Sequence, residues 1–294
     1  MSKLRFVQGH MPERIAGLNN IVQSVRVVYE TDPAVVRAML PKPLVPAERP
    51  EVFLQFANVE MHIAAGNVIK VGALTCAIMC EYEGKKGGYV YVMAMEGESV
   101  VTGGRERYGE PKKIAETTFS KEGNKVKATV SRRGITFFEL EGEIGADLGK
   151  PAPFDEHFFC YKGMPSISTL GEYDGEVFLT QLNWKRNYSA RHAFEGHIQL
   201  HESIYDPLVD VPIRKIVSME FVEGATQTGG ELLRLLNGHP FAEATQITSR
   251  SRMGEFAHVP HPNLRGTLVG NLQFIQPSDV KPCDVIFLCL PHTE

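Results

Sequence analysis

The sequence predicts a mainly β fold of the α+β class, in which an antiparallel sheet closes into a barrel with a few short peripheral helices and a C-terminal extension. Many short runs are rich in β-branched and aromatic residues, as strands are. Turn residues separate these runs at short spacing, and only brief stretches have the pattern of a helix. Closure of such a sheet removes its edges and leaves an interior that can hold one small ligand.

The predicted strands are spread along the whole chain. They cover residues 21–29, 52–63, 68–82, 89–95, 125–131, 136–143, 177–184, 197–201, 267–275 and 284–290. The GKKGG stretch at 84–88 forms the turn of a predicted hairpin. Asp32 and Pro33 begin a short predicted helix that ends before Pro41. A second predicted helix covers residues 230–237, with Gly238 as its stop.

Composition excludes several classes of protein. The 294 residues carry 31 basic and 35 acidic side chains, a formal net charge of -4, so we expect no nucleic-acid partner. No run of 18 apolar residues and no signal peptide is present, so we expect no membrane partner and a cytoplasmic location. The five cysteines lack zinc-site spacing and are expected to be free thiols. They are Cys76, Cys80, Cys160, Cys283 and Cys289.

The stretch ESVVTGGRERYGEPKKIA at 98–115 is the most informative part of the sequence. It predicts a strand end, a glycine-rich bend and an extended re-entry. Glu110 precedes a proline and is therefore biased to extended geometry. Lys112 and Lys113 then begin a strand, in which successive side chains point to opposite faces. One lysine can therefore face the interior of a barrel while its neighbour faces outward.

A lysine inside a barrel can act as a nucleophile. Only the neutral amine attacks a carbonyl group, and desolvation disfavours the charged form of a buried lysine. We expect burial among apolar side chains, such as Met93, Met95 and Val100, to contribute more than the charge of Lys113. Alternation along the strand sends that second charge to the opposite face. On spacing alone, a Lys-Lys pair after a turn that contains proline is more often a solvated surface feature, and a catalytic Lys112 is the alternative.

These residues also resemble a known family. Gly104-Arg105-Glu106, followed after four residues by Pro111-Lys112-Lys113, is similar to the Schiff-base motif of the acetoacetate decarboxylase family. Gly88-Tyr89, Glu98 and the segments 28–32, 40–44 and 211–218 also match, so the resemblance covers roughly residues 20–225.

The resemblance implies one acetoacetate decarboxylase-like domain over residues 1–294, with a cone-like barrel as its core and an extension from about residue 228. It implies a homo-oligomer without metal or organic cofactor, acting on a small oxo-acid or ketone. Lys112 would be the nucleophile, with Lys113 and Glu98 as further catalytic groups. Arg105 and Glu106 are expected to form an ion pair that supports the bend.

The sequence departs from the family where an arginine and two glutamates are expected. A gap-free alignment places Val22, Ala57 and Ala73 there. Arg26 and Glu60 can replace them after a small shift. The predicted substrate-binding residues are therefore Arg26, Glu60, Met93, Met95 and Val100.

The predicted function is a Schiff-base-forming carbon–carbon lyase of the decarboxylase type, acting on a small β-keto or oxo-acid. Two alternatives remain open. One is an aldolase-dehydratase that condenses an oxo-acid with an aldehyde. The other is a non-catalytic barrel that holds a small apolar ligand.

Two further patterns favour ordinary structural roles. His197 and His201 share a face and lie beside Glu202, but a third ligand is not evident, so no metal site is predicted. A phosphate-binding loop is not predicted either, because the spacing is wrong at Gly103, Gly104 and Gly109.

Overall fold

A computed structural model describes the fold over most of the chain. The described residues are 20–64, 67–175, 177–228, 244–249, 251–260, 264 and 267–283. The predicted helix at 230–237, the predicted strand at 284–290 and Cys289 lie outside these ranges. No helix in the described part of the chain is long and apolar enough to cross a membrane.

Strands dominate the described residues, as predicted. The strands are β1 (Asn20–Glu30), β2 (Val45–Pro46), β3 (Glu51–Ala64), β4 (Asn67–Tyr82), β5 (Lys85–Met95), β6 (Lys112–Ile114), β7 (Glu116–Glu122), β8 (Lys125–Arg132), β9 (Ile135–Asp147), β10 (Phe154–Lys162), β11 (Phe178–Leu200), β12 (Lys215–Thr228), β13 (Ile247–Thr248) and β14 (Phe274–Ile275). The helices are α1 (Pro33–Met39) and α2 (Glu98–Tyr108), with 3-10 turns at Leu208–Asp210, Val269–Asn271 and Pro277–Asp279.

Seven of these strands form a continuous ring of paired neighbours. The order is β10-β5-β4-β3-β1-β12-β11, and β11 also pairs with β10. The sheet was predicted to be antiparallel, which is wrong at two places, because β10 and β6 each pair with β5 in parallel. Strand β6 can pair in parallel with β5 because the segment that contains α2 joins them, and parallel neighbours need a crossover connection of this kind.

The two faces of the ring pack differently. The outward face of β1, β3 and β4 meets strands β7 to β9, which continue the sheet from β11 and form with it the main hydrophobic core. Val25, Leu54, Leu74 and Phe138 are representative of this core, and all are fully buried. The inward face carries a second, smaller apolar cluster and a set of charged side chains.

Two predicted elements are wrong. Residues 98–108 form α2 rather than a strand end and a bend, although valine, threonine and glycine have low helix propensity. Tertiary contacts stabilise the helix, which ends at Gly109 in the left-handed conformation (φ 73°). The predicted strand at 267–275 is reduced to a 3-10 turn at Val269–Asn271 followed by the two residues of β14.

Candidate active site

The segment after β5 positions Lys112. Helix α2 crosses from the end of β5, and Gly109 closes it by donating its backbone N–H to the carbonyl of Arg105. A side chain at Gly109 would place its Cβ 2.5 Å from the Tyr161 carbonyl oxygen, so only glycine fits this close approach. The short β6 then sets Lys112 beside Met93 and Lys113 beside Ala94.

Lys112 is buried against a carboxylate. Its Nζ lies 2.8 Å from Oε2 of Glu110, and the two side chains are only 11% and 5% exposed. Gly104 forms the wall behind both groups, because a Cβ at this position would lie 2.2 Å from Glu110 Oε2 and 2.5 Å from Lys112 Cδ. The Arg105 guanidinium donates to the Lys112 carbonyl at 3.0 Å and holds the backbone of β6.

Lys113 points to the opposite face, as strand alternation predicts. Its Nζ lies 2.6 Å from the buried carboxylate of Asp206 and donates to the Tyr205 carbonyl at 3.0 Å. Arg132 approaches the same carboxylate at 3.4 Å. The charge of Lys113 is therefore compensated outside the ring rather than directed at Lys112.

A row of neighbouring residues joins Lys112 to Arg26 across the inward face. Arg26 on β1 is the ladder partner of Gln55 on β3, Gln55 of Thr75 on β4, Thr75 of Met93 on β5, and Met93 of Lys112 on β6. Directly paired residues share a face of the sheet. The guanidinium and the amine therefore belong to one layer of the ring interior.

Arg26 takes part in a buried charge cluster. Its guanidinium lies 2.6 Å from one oxygen of Glu156 on β10 and donates to the Tyr188 hydroxyl at 3.0 Å. Arg186 on β11 donates to the other Glu156 oxygen at 2.7 Å, and also to Gln55 at 3.3 Å. Two guanidinium groups thus share one carboxylate, which leaves one positive charge uncompensated within this cluster.

The pKa directions agree with this geometry. Burial opposes the charge of Arg26, but Glu156 and Tyr188 outweigh burial and raise the pKa of its guanidinium above the usual value. Burial likewise favours the neutral form of Glu156, but Arg26 and Arg186 lower the pKa of its carboxyl below the usual value. Arg26 and Glu156 are therefore both charged near neutral pH.

Apolar side chains also pack on the inward face of the ring, near the charge cluster and the lysine. This apolar cluster contains Phe53, Ala77, Val90, Met93, Phe158, Cys160 and Leu182. The Arg26 guanidinium lies 4.8 Å from the centre of the Phe53 ring. Burial, and then the negative Glu110, raise the pKa of the Cys160 thiol, while Lys112 acts in the opposite direction. Cys160 is therefore a neutral thiol beside the lysine.

The other predicted substrate-binding residues lie in two places. Met93 belongs to the apolar cluster around Cys160, while Met95 and Val100 belong to an adjacent cluster with Val71 and Ala73. Glu60 lies apart from Lys112, in an ion pair of 2.7 Å with Lys70 at the rim of the ring. It lines an open depression of about 570 Å³ near Val22. Lys112 does not line this depression.

The remaining predicted residues lie on α2. Glu98 is exposed in the first turn of the helix, where its charge complements the helix dipole. Arg105 supports the backbone of Lys112, but no ion pair joins it to the exposed Glu106 within the described structure. The supporting partner of Arg105 is therefore a carbonyl group and not the expected carboxylate.

Sequence reasoning missed four members of the site. They are Glu110, Gln55, Glu156 and Arg186. In the sequence, Glu110 is distinguished only by the proline that follows it. Alternation along β11 places Leu182, Trp184 and Arg186 on one face, but pairing between distant strands decides which face that is.

The three residues that stand where the family is expected to carry an arginine and two glutamates also lie in the ring. Val22, Ala57 and Ala73 are buried. Ala57 and Ala73 are ladder partners of each other, one step along from the row of Arg26. Ala57 and Ala73 thus form an apolar layer of the ring, and the charge cluster lies in the neighbouring layer.

Comparison with known proteins identifies relatives for most of the chain. A family model described as acetoacetate decarboxylase matches residues 12–235. The structure resembles acetoacetate decarboxylase from Legionella pneumophila with a TM-score of 0.60 and 20% identity, over 76% of this chain and 90% of that one. It also resembles the enduracididine biosynthesis enzyme MppR complexed with pyruvate, with a TM-score of 0.63 and 16% identity, over 75% and 90%. Identities this low show a shared fold.

A second family model matches the C-terminal part of the chain. It is described as the NAD-binding domain of semialdehyde dehydrogenase and matches residues 222–294. A putative (LysW)-L-2-aminoadipate 6-phosphate reductase of Thermomicrobium roseum is 51% identical over 79 residues, which are 27% of this chain and 22% of that protein. N-acetyl-gamma-glutamyl-phosphate reductase of Methanocella arvoryzae is 42% identical over 80 residues, or 26% and 23%. The chain thus spans about a fifth of the length of these curated relatives.

The described residues at the start of this second match do not fit a dinucleotide. A dinucleotide loop presents free backbone N–H groups at a helix N-terminus. Residues 222–226 instead lie within β12, with ladder partners on both β1 and β11. Gly224 faces a bulge in β11, where a Cβ would lie 2.5 Å from the Cα of Tyr188. Close packing in the ring therefore accounts for this glycine.

Proposed function

Because the chain belongs to the acetoacetate decarboxylase family, we propose that it is an enzyme in which Lys112 forms a Schiff base with a small β-keto or oxo-acid. One observation carries this proposal: the Lys112 amine is buried on the inward face of the ring, 2.8 Å from a buried carboxylate. Lysine is rarely buried in this way unless it is paired or has a function. The ring of strands would enclose the substrate as a closed barrel.

The chemistry follows from the amine. The neutral amine attacks the carbonyl carbon, and loss of water with uptake of one proton gives a protonated imine. The imine withdraws electrons from the neighbouring carbon, which can then lose either CO2 or a proton. Hydrolysis of the product imine returns the free lysine. No metal or organic group is needed for these steps.

The charge cluster supports an anionic substrate. Its uncompensated positive charge lies in the same layer as Lys112, so a carboxylate bound near Arg26 would bring a carbonyl group towards the amine. Positioning of this kind can supply several kcal/mol of barrier reduction. This role would fall to Arg26, as predicted, with Arg186 as its partner. The role of Glu60 at the rim stays a prediction.

The cluster also favours the second candidate, an aldolase-dehydratase. A carboxylate held tightly by guanidinium groups is stabilised in the ground state, and such uniform binding does not speed its departure as CO2. An oxo-acid that keeps its carboxylate through condensation avoids this cost. One solved structure with this fold is MppR complexed with the condensation product of pyruvate and imidazole 4-carboxaldehyde.

Borohydride trapping tests the Schiff base. The chain is incubated with acetoacetate, pyruvate or acetylacetone, reduced, digested and analysed by mass spectrometry. We expect an adduct on the peptide that contains Lys112, its loss in Lys112→Ala and its retention in the surface control Lys125→Ala. Lys113→Ala should reduce activity less than Lys112→Ala. Absence of any adduct in the native chain would favour a non-catalytic barrel.

A panel assay separates the two reactions. CO2 release from β-keto acids is measured beside condensation of pyruvate with aldehydes. We expect slow or absent decarboxylation of acetoacetate, with activity on a bulkier oxo-acid or in condensation. Rapid decarboxylation of acetoacetate would contradict the argument from the charge cluster.

We also propose a homo-oligomer in the cytoplasm. In support, Ile167 and Leu170 are 98% and 104% exposed in the loop between β10 and β11. Contiguous exposed apolar patches mark contact surfaces, and these two side chains lie three residues apart in one loop. Sedimentation of the native chain, compared with the double variant Ile167→Ser and Leu170→Ser, tests the assembly.

A further inference from the structure

A buried carboxylate lies against the nucleophile, and the reaction described above does not use it. Oε2 of Glu110 is 2.8 Å from the Lys112 amine, but the two groups are not aligned as a regular hydrogen bond. No other described residue forms a hydrogen bond with this oxygen. Gly104 closes the space behind it. Oε2 of Glu110 therefore faces the reacting nitrogen.

An ion pair at this place opposes nucleophilic attack, because only the neutral amine attacks a carbonyl group. The same arrangement offers a solution. Two charges that are largely buried lose much of their hydration, and transfer of the proton from Nζ to Oε2 replaces them with two neutral groups. The distance of 2.8 Å permits direct transfer.

We propose that Glu110 is a catalytic acid–base residue that takes the ammonium proton of Lys112 and returns it during imine formation; this inference rests on the proposed Schiff-base function. The neutral amine attacks the carbonyl carbon, the new C–N bond forms and the carbonyl π electrons move to oxygen. Glu110 gives its proton to that oxygen and accepts one from the nitrogen, which leaves a neutral carbinolamine.

The second half of the step uses the same proton. Protonated Glu110 donates to the carbinolamine hydroxyl, the C–O bond breaks, and water leaves as the nitrogen lone pair forms the C=N bond. The products are a protonated imine, a Glu110 carboxylate and one water molecule. No oxidant, reductant or further reactant is required. The negative carboxylate then lies beside the positive imine and stabilises it.

The test compares Glu110→Gln with Glu110→Asp. Glutamine keeps the size and the hydrogen-bonding groups of glutamate but cannot exchange a proton as an acid. Aspartate keeps the carboxyl and is shorter by one methylene. Glu116→Gln, an exposed position on β7, is the matched control. The rate of imine formation is followed by borohydride quenching with acetylacetone, and thermal unfolding of each variant is recorded.

We expect imine formation in Glu110→Gln to slow by roughly 10²-fold or more, the usual contribution of a general acid–base group. Aspartate should be faster than glutamine, and the control should match the native chain. A structural role predicts the reverse order, because glutamine preserves shape better. If Glu110→Gln forms the imine as fast as Glu110→Asp, or as fast as the native chain, the proposed role of Glu110 is refuted. The Schiff base at Lys112 would still stand. Absence of an adduct in the native chain would instead refute the proposed function.

Discussion

Gly104 is where packing at the site can be tested most sharply. In Gly104→Ala the new Cβ would lie 2.2 Å from Glu110 Oε2, whereas ordinary contact begins at 3.4 Å. The difference requires the carboxylate to move by roughly 1.2 Å, since overlap of this size cannot be accommodated in a packed interior. Lys112 must move by roughly 0.9 Å, because its Cδ would lie 2.5 Å from the new Cβ of residue 104.

Two opposing terms set the stability of this variant. Alanine in place of glycine in a helix stabilises by about 1 kcal/mol, whereas overpacking of an interior costs about 1–3 kcal/mol. The expected net loss is small, about 0–2 kcal/mol. Misplacement of a reacting group by about 1 Å can cost ~10²-fold in rate. We therefore expect a folded chain with a large loss of imine formation.

Gly103→Ala is the matched control. It lies next in the same helix, and a Cβ there would meet nothing within 4 Å. It should gain about 0.5–1 kcal/mol of stability from the loss of glycine and keep its activity. The assays are urea unfolding and borohydride quenching on both variants. Native imine formation in Gly104→Ala would refute the argument that Gly104, Glu110 and Lys112 pack as one unit.

The ring interior yields three further predictions. Glu156→Gln should lower the free energy of unfolding by about 3 kcal/mol, because two guanidinium groups then lose their shared carboxylate; exposed Asp155→Asn is the control in urea unfolding. The pKa of Glu156 is lower in the folded chain than in the unfolded chain. Its ionised carboxylate therefore contributes to folding stability above the unfolded pKa, and this contribution is lost as pH falls through the folded pKa. Urea midpoints across acid pH should therefore fall less steeply in Glu156→Gln. Gly224→Ala should destabilise the chain by more than about 1 kcal/mol, because its Cβ would meet the backbone of Tyr188, and an unchanged melting temperature would contradict this packing.

The local sequence pattern was sufficient to predict most strands, and to predict that Lys112 and Lys113 face opposite sides of the sheet. The period of two along a strand placed the two lysines on opposite faces, and the resemblance to the family chose Lys112 as the inward one. In the structure Lys112 faces inward and Lys113 outward. The same reasoning failed for α2, because the stabilising contacts of Gly104 and the closure at Gly109 come from residues outside the helix. Low propensity was overridden by packing.

Family resemblance could be read from the sequence, because the Pro111-Lys112-Lys113 motif and its flanking segments are contiguous. The charge cluster could not be read in this way. Arg26, Glu156 and Arg186 are separated by up to 160 residues along the chain, and only strand pairing places them together. The alignment that places Val22, Ala57 and Ala73 at the family's charged positions gives no indication of Glu156 and Arg186, which lie on other strands.

The sequence by itself determined the strand-rich fold, the family and the lysine that faces inward, because each depends on local periodicity or on a contiguous motif. Only the tertiary structure decided what surrounds that lysine. Ladder register sets Arg26 in the row of Lys112, ring closure brings Glu156 between two guanidinium groups, and the turn after α2 places Glu110 against the amine. Register and closure depend on pairing free energies between distant segments, which no local pattern contains.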